Sequence, residues 1–274
     1  MDIKRILTGL IGFPFIVLVF VLGNKYIIDC LMAIVAILSI HEYINCVKKK
    51  ANPVSWILYL LAGSISCIHF IPKTFLSQYL GIGLICFVTV LFLHVLFTDM
   101  EINVLDISFT LIGALYIVGF TVFIPILYGY EECCIGNVGK YYIWYIIMAT
   151  WGTDVFAYLV GKHFGKHKFS KISPKKSIEG CIGGALGGVA LVLAYTFVLN
   201  NWFDMGINYL VIGCLGLVLS IMGQIGDFVA SSFKRYSEIK DFSNLIPGHG
   251  GMIDRIDSVI FAAPFAYYLL TMLL

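Results

Sequence analysis

The chain has 274 residues, of which 60% are hydrophobic and only 12% are charged, and its formal net charge is +2. Soluble domains carry about 25% charged residues, so this composition excludes a water-soluble globular protein. The net charge by itself is uninformative, and the distribution of the charges along the chain carries the argument instead.

Long apolar runs divide the chain into candidate membrane spans. A hydrocarbon core of about 30 Å needs about 20 helical residues, and most of the runs are long enough. The alternating pattern of β-barrel strands is absent, so helices remain as the way to satisfy backbone groups in lipid. The sequence therefore predicts an all-α, polytopic membrane bundle of about nine transmembrane helices. The runs are 6–22, 26–47, 54–71, 77–97, 104–128, 141–160, 180–200, 207–226 and 256–274.

The cations are distributed unevenly between the two sides that nine spans define. Fifteen of the 18 Lys and Arg residues fall on one side, and only Lys25, Lys73 and Lys140 fall on the other. Positive residues favour the cytoplasmic side of a membrane. We therefore expect a multi-pass protein of the cell membrane, with the N-terminus and the large polar loops cytoplasmic and the C-terminus external.

Residues 1–140 are predicted to be a transmembrane scaffold, and residues 141–274 a catalytic region. In the scaffold, polar side chains within the spans, such as Glu42, are expected to be packed or interfacial. The acidic residues of its one acidic loop are expected to be solvated, and they are Asp99, Glu101 and Asp106.

Asp154 stands in the sixth predicted span, with Tyr158 one turn later. A carboxylate at the centre of a span costs roughly 2.5–3.5 kcal/mol on insertion scales. It is therefore expected to face a wet cavity or a cation, the alternative being a structural hydrogen bond to a neighbouring helix.

The loop at 161–180 is dense in cations and hydroxyl groups and leads into the seventh predicted span. It lacks the Gly-x-x-x-x-Gly-Lys-Ser/Thr pattern of a P-loop. Helix N-terminal amides attract anions, so the loop is a candidate phosphate-binding segment, the alternative being an anchor for lipid head groups. Its candidate substrate-binding residues are Ser173, Lys175, Lys176 and Ser177.

Glycines recur every four residues in the seventh span, at Gly180, Gly184 and Gly188, with Gly183 and Gly187 beside them. Small residues at this spacing let membrane helices approach closely. The pattern favours a helix-packing face over a nucleotide cradle.

The polar residues that follow the eighth span form the richest constellation. If that helix continues through Arg235, then Asp227, Ser231, Lys234 and Arg235 share one face. A second helical turn does the same for Asp254, Asp257 and Ser258, after a break rich in proline and glycine. Two helix ends that carry carboxylates are thus predicted to converge at the cytoplasmic rim.

Paired carboxylates without a cysteine or histidine cluster suit a hard cation such as Mg²⁺ with bound substrate phosphates. The interleaved Lys and Arg side chains then neutralise the charge of a transferring phosphate. The alternative is a set of interfacial ion pairs, including one between Asp254 and Arg255.

The segment from Ser231 to Asp257 resembles the signature of the phosphatidate cytidylyltransferases, also called CDP-diacylglycerol synthases. That pattern runs Ser, any, apolar, Lys-Arg, four residues, Lys-Asp, any, small, two residues, apolar, Pro, any, His-Gly-Gly, apolar, any, Asp-Arg, apolar, Asp. Every constrained position is met. The resemblance extends upstream through Asp154, residues 173–177 and Asp227, whereas the N-terminal half is similar only in being hydrophobic.

The resemblance implies a nucleotidyltransferase of phospholipid biosynthesis that makes CDP-diacylglycerol and pyrophosphate from CTP and phosphatidate, with one or two Mg²⁺ ions. It implies Asp227 and Asp254 as metal ligands, a homodimer within the lipid bilayer, and no nucleic-acid partner. We place Lys234, Arg235 and Asp154 in the catalytic group. The remaining candidate substrate-binding residues are Ser231, Lys240, His249, Gly250, Gly251, Arg255 and Asp257.

Two other functions compete with this interpretation. An ion or lipid transporter also uses intramembrane carboxylates and broken helices, but no inverted repeat is visible here. A membrane CTP-dependent lipid kinase would share the metal and the nucleotide without this signature. A CDP-alcohol phosphotransferase is disfavoured because its Asp-Gly-x-x-Ala-Arg motif is missing.

Overall fold

A computed structural model describes residues 3–98, 102–131, 137–170, 172–174, 176–246, 248 and 250–273. Within these ranges the chain is helical, and the only pairings outside helices are two isolated antiparallel bridges, Lys168 with Ser177 and Ile246 with Gly250. The predicted all-α class is therefore confirmed.

Ten α-helices follow one another in chain order through the described residues. A 3₁₀ segment, Ile65–Phe70, prolongs α3, and a π-helical segment, Ala114–Gly119, follows α5. The helices are α1 (Ile3–Leu22), α2 (Lys25–Val47), α3 (Ser55–Ser64), α4 (Lys73–Phe97), α5 (Val104–Gly113), α6 (Phe123–Tyr128), α7 (Gly139–Phe164), α8 (Ile178–Phe203), α9 (Tyr209–Tyr236) and α10 (Ile253–Leu273).

Six helical stretches of the described chain are long and apolar enough to cross a membrane. Two further apolar helical stretches, Ser55–Phe70 and Gly81–Phe97, are shorter. The chain is thus a helical membrane protein, while the figure of about nine spans stays a prediction. The six stretches are Lys25–Val47, Val104–Tyr128, Gly139–Phe164, Ile178–Phe203, Tyr209–Tyr236 and Ile253–Leu273.

The chain divides into two compact units, and the division does not follow the sequence order. The first unit comprises Met1–Pro125 and Phe242–Met252, and the second comprises Ile126–Asp241 and Ile253–Leu274. The middle of the signature segment therefore belongs with the N-terminal helices. The prediction that residues 1–140 are a scaffold and residues 141–274 are catalytic stays a prediction.

In the first unit, buried polar side chains join α2 to the segments that follow it. The Tyr43 hydroxyl donates to the carbonyl oxygen of Phe109 at 2.8 Å. Asp106 forms a capping box with Asn103 at the start of α5, and its carboxylate also accepts from the backbone N–H of Asn52 at 2.6 Å. The expectation that Asp106 is solvated was wrong, because it is 3% exposed and all these contacts are structural. Asp99 and Glu101 lie outside the described residues.

In the second unit, the glycine face of α8 packs directly on α7. A Cβ atom at Gly184 would lie 2.7 Å from the Thr153 carbonyl oxygen, and one at Gly180 would lie 2.9 Å from the Ala157 carbonyl oxygen. These approaches leave no room for a side chain, which confirms the predicted helix-packing face. The partner of this face is therefore α7 of the same chain.

Candidate active site

The polar half of α9 positions the first group of candidate residues. Because α9 runs unbroken to Tyr236, Asp227, Ser231, Lys234 and Arg235 fall on neighbouring turns of one helix, as predicted. Ser231 is buried, whereas Arg235 is exposed. Arg235 donates from Nε to the carbonyl oxygen of Ile172 at 3.2 Å, which joins the end of α9 to the loop before α8.

The start of α10 supplies the second group, and an ion pair joins it to α9. Lys234 Nζ lies 2.5 Å from Asp254 Oδ1, and the two side chains are 13% and 5% exposed. The helices approach closely at Gly226, where a Cβ atom would lie 2.5 Å from the Asp257 carbonyl oxygen. The predicted convergence of two carboxylate-bearing helix ends is therefore present within the second unit.

Asp257 is buried one turn further along α10. Its Oδ1 accepts from the backbone N–H of Ser258 at 2.7 Å. The carboxylate lies close enough to Asp227, Lys234 and Asp154 to interact electrostatically with them. Asp257 is therefore a member of the same cluster, although its side chain is nearly closed to solvent.

The loop between α7 and α8 folds back over α9. Its ends are held by Phe169 N–H to the Lys176 carbonyl oxygen at 3.0 Å and by Ile178 N–H to the His167 carbonyl oxygen at 2.9 Å. Phe169 stacks on Phe228 of α9 with ring centroids 4.7 Å apart. This stacking fixes the loop beside the polar face of α9.

Lys176 is the cation that the folded loop delivers to α9. Its ammonium group forms an ion pair with Asp227 and lies 4.8 Å from the centre of the Phe228 ring. The paired side chains are 23% and 27% exposed, so the pair remains open to solvent. Lys175, its predicted companion, lies outside the described residues.

Ser177 and Glu179 stabilise the start of α8, and Ser173 closes the turn before Lys176. The Ser177 side chain accepts from the Gly180 N–H at 3.1 Å and is the N-cap of α8. Glu179 accepts from the backbone N–H and the ring nitrogen of His167. The Ser173 carbonyl oxygen accepts from the Lys176 N–H at 3.1 Å, which closes the turn before the lysine.

Asp154 of α7 is exposed and takes part in the same charge cluster. Lys176, Asp227 and Arg255 are its electrostatic neighbours. Asp254, Asp257 and Lys234 also belong to this cluster. It thus contains four carboxylates and three cations, which come from α7, the loop before α8, α9 and α10. It therefore carries an excess of one negative charge when all its members are ionised.

Carboxylate oxygens are the type of ligand that a hard cation such as Mg²⁺ takes. Among the described residues, no group of three or more His, Cys, Asp or Glu side chains is arranged to hold a metal ion alone. Mg²⁺ usually takes one or two protein carboxylates and completes its shell with water and substrate phosphates. The donor chemistry of Asp227 and Asp254 agrees with such a site.

The remaining signature residues lie on or beside the 242–252 segment. Lys240 is exposed, Gly250 exchanges two backbone hydrogen bonds with Ile246, and Gly251 is buried. Gly248 and Gly250 have φ of 77° and 88°, conformations that favour glycine. His249 lies outside the described residues.

Sequence reasoning expected Glu42 to be packed or interfacial, and it is 3% exposed, but its partners and the Phe169–Phe228 stack were missed. Glu42 of α2 accepts hydrogen bonds from both ends of the 242–252 segment. The available signal was a carboxylate inside an apolar run, which is costly unless it has partners. The aromatic stack left no signal, because its two rings are 59 residues apart in a phenylalanine-rich chain.

The comparisons with known proteins point in one direction. The family profile described as the cytidylyltransferase family matches residues 3–273. A phosphatidate cytidylyltransferase of Bacillus subtilis (strain 168) is 44% identical over 142 residues, which are 50% of this chain and 51% of the relative. One of Staphylococcus aureus (strain COL) is 40% identical over 172 residues, 61% of this chain and 60% of the relative.

These two matches therefore span about half to three fifths of the length of those relatives. A phosphatidate cytidylyltransferase of Staphylococcus haemolyticus (strain JCSC1435) is 30% identical over 268 residues, 97% of this chain and 98% of the relative.

Proposed function

We propose that this chain, which belongs to the cytidylyltransferase family, is a nucleotidyltransferase that transfers CMP from CTP to phosphatidate and forms CDP-diacylglycerol and pyrophosphate. The observation that carries the proposal is the charge cluster of the second unit. There Lys176 pairs with Asp227 and Lys234 pairs with Asp254, where α9 ends and α10 begins. This cluster suits two anionic substrates and a divalent cation.

The reaction needs no nucleophile from the protein. A phosphate oxygen of phosphatidate forms a bond to the α-phosphorus of CTP, and the bond between that phosphorus and the α–β bridging oxygen breaks. Pyrophosphate leaves with the electron pair of the broken bond. The protein therefore contributes positioning and charge stabilisation.

Lys176, Lys234 and Arg255 are the cations that we assign to the phosphates. Lys234 and Lys176 are each paired with a carboxylate, so their ammonium groups lie within the cluster, where the phosphates would bind. Arg255 is exposed beside Asp254, and its planar guanidinium group suits a phosphate with two parallel hydrogen bonds. Together they neutralise charge on the transferring and leaving groups.

Asp227 and Asp254 would hold Mg²⁺, with Asp154 as a neighbouring carboxylate. The bound ion would supply positive charge that stabilises the phosphate oxygens during transfer. We propose one or two ions, since the cluster has more carboxylates than cations.

We place CTP at the loop between α7 and α8. The loop brings Lys176 to the cluster, and an open cavity of about 470 Å³ on it is lined by Lys168, Phe169, Ser170 and Pro174. Phe169 is half exposed, and an aromatic face is a stacking surface for a nucleobase. Phosphatidate then reaches the cluster from the bilayer.

We further propose that the N-terminus and this loop face the cytoplasm of the cell and that the C-terminus is external. Tags at the N-terminus and in the 161–180 loop are expected to be accessible only from the cytoplasm, and a C-terminal tag only from outside. Termini found on the same side would contradict an odd number of spans. A homodimer is also proposed, and light scattering of the detergent-solubilised protein tests it.

The decisive experiment separates transfer of CMP from transfer of a single phosphoryl group. Purified protein in detergent is given CTP, phosphatidate and Mg²⁺, with ATP, dATP and GTP as donor controls. The proposal expects CDP-diacylglycerol and an equal amount of pyrophosphate, with CTP preferred and the reaction abolished by chelation. Release of CDP with a phosphorylated lipid would instead identify a lipid kinase.

A further inference from the structure

Glu42, in the last two turns of α2, is a buried carboxylate from the half of the chain predicted to be scaffold. It is 3% exposed. Its Oε1 atom accepts from the Ser243 hydroxyl at 2.6 Å and from the Met252 backbone N–H at 2.8 Å. Ser243 and Met252 stand at the two ends of the 242–252 segment, so one oxygen atom holds both ends of that segment.

Gly251 fits against the same carboxylate. A Cβ atom there would lie 2.5 Å from Glu42 Oε2 and 2.9 Å from Glu42 Cδ. Gly248 and Gly250 need to be glycine because of their positive φ, but Gly251 has no such backbone conformation. The requirement for glycine at position 251 therefore comes from Glu42.

Further hydrogen bonds make the segment a closed loop. Ile246 and Gly250 exchange backbone hydrogen bonds of 2.9 and 3.2 Å, and the Ser243 hydroxyl oxygen accepts from the Leu245 N–H at 3.1 Å. Hydrogen bonds therefore hold the described residues Ser243, Leu245, Ile246 and Gly250 between the two Glu42 contacts. Met252 is followed at once by Ile253, the first residue of α10, and then by Asp254.

We propose that Glu42 is a positioning residue for the signature loop between Ser243 and Met252, which carries Gly250 and Gly251, a role that rests on the proposed cytidylyltransferase activity. A buried carboxylate is stable only with good donors, and here the donors are the two ends of the signature loop. Without the carboxylate, the ends separate and the loop samples other conformations. The chemistry then loses rate, because its groups are no longer held in the productive geometry.

The test combines kinetics with hydrogen–deuterium exchange on the purified full chain. Glu42→Ala is expected to lower kcat by about 10- to 100-fold, with a smaller change in KM for either substrate. Glu42→Gln keeps one accepting oxygen and is expected to recover part of the rate. Glu42→Asp is too short to reach both donors and is expected to resemble Glu42→Ala. Exchange in peptides that cover residues 242–252 is expected to quicken in Glu42→Ala.

Asp106→Asn is the matched control. Asp106 is another carboxylate of the first unit with 3% exposure, and its partners belong to the α5 start and to Asn52. It is expected to lower the Tm without changing kcat or the exchange of residues 242–252. If Glu42→Ala lowers the Tm like this control but keeps its kcat, Glu42 is merely structural and the proposal is overturned.

A double-mutant cycle tests the contact with Gly251. Gly251→Ala alone is expected to lower kcat, because the added methyl displaces the loop from Glu42. In the Glu42→Ala background the same change has no carboxylate to meet, so its further effect is expected to be small. Independent, multiplicative losses would overturn the assignment.

Failure of the proposed function is distinguishable from failure of this inference. A wild-type protein that makes no CDP-diacylglycerol rejects the function, while the exchange arm still tests the loop contact. An active wild type with unchanged exchange in Glu42→Ala rejects the inference alone.

Discussion

The two units of the molecule use carboxylates in different ways. In the first unit, Glu42 and Asp106 are almost fully buried and accept from backbone N–H groups and neighbouring side chains. In the second unit, Asp227 and Asp254 pair with the ammonium groups of Lys176 and Lys234. Glu42 and Asp106 thus accept from backbone N–H groups, whereas Asp227 and Asp254 are paired with lysine ammonium groups.

The difference teaches which carboxylates can take part in ligand binding. A backbone N–H cannot leave its place without moving the chain, so the carboxylates of Glu42 and Asp106 are held in place by the fold. A lysine side chain has several rotatable bonds, so its ammonium group would be able to turn toward a phosphate if the proposed metal ion bound the carboxylate. Asp227 is the clearest case, because its ion pair is also open to solvent.

The largest expected effect on turnover comes from removing the negative charge of Asp227 or Asp254. Asp227→Asn and Asp254→Asn keep size and hydrogen bonding but remove the charge that would hold the proposed Mg²⁺ ion. We expect each to lower turnover by at least about 100-fold while the protein still inserts and purifies. Pyrophosphate release over a range of Mg²⁺ concentrations measures this.

Asp241→Asn is the control for these variants, since Asp241 is exposed after α9 and is expected to have a milder effect. Near-normal turnover of both Asp227→Asn and Asp254→Asn at saturating Mg²⁺ would remove the carboxylate–metal mechanism. The distinction between the two classes of carboxylate would then have no functional meaning.

A smaller effect is expected at the lysine partner. Lys176→Ala should raise the KM for CTP by about tenfold and change the KM for phosphatidate less, because we place the loop at the triphosphate. Lys175→Ala is predicted to act in the same direction. Lys140→Ala, a cation near the start of α7, is the control and should leave both KM values unchanged.

Steady-state kinetics with each substrate varied in turn tests the loop assignment. If only the KM for phosphatidate changed in Lys176→Ala, the loop would belong to the lipid head-group site.

The smallest expected effect concerns the backbone that supports the ion pairs. Gly184→Ala places a methyl group against the Thr153 carbonyl oxygen of α7, and overpacking of this kind costs about 1–3 kcal/mol. Gly213→Ala in α9 meets its nearest atom at 3.8 Å and should be neutral or slightly stabilising. Thermal denaturation in detergent compares the two. Equal Tm values for the two variants would mean that the α7–α8 contact has room for a methyl group at position 184, against this prediction.

Helical spacing predicted the parts of the site that one helix builds. The continuation of α9 through Arg235 brought Asp227, Ser231 and Lys234 onto neighbouring turns, and the glycine repeat marked the face of α8 that meets α7. In both cases the information is local, since residues three or four apart share a helix face. The assignment of chemical roles to these residues stays a prediction.

The hydrogen-bond partners of the buried carboxylates Asp106 and Glu42 could not be predicted from the sequence. Asp106 binds a residue 54 positions away, and the two partners of Glu42 are 201 and 210 positions away. No periodicity links such residues, so Asp106 was expected to be solvated and Glu42 to be an ordinary packed side chain. The N-cap role of Ser177 was accessible, because serine before an apolar helix with Glu179 in the first turn is a start signal.

The Glu42 contacts also constrain how the spans are counted. They require the end of α2 and residues 243–252 to lie on the same face of the membrane, so the chain between them crosses an even number of times. Both the six spans predicted there and the four long apolar stretches found there satisfy this condition. Which face this is stays a prediction.

The long sequence separation of these contacts has a consequence for biosynthesis. Glu42 emerges from the ribosome some 200 residues before Ser243 and Met252, so during most of translation its carboxylate lacks both donors. Contacts this distant form late, and a buried charge without partners is costly. The first unit includes Phe242–Met252 and is therefore completed only after that segment has been synthesised.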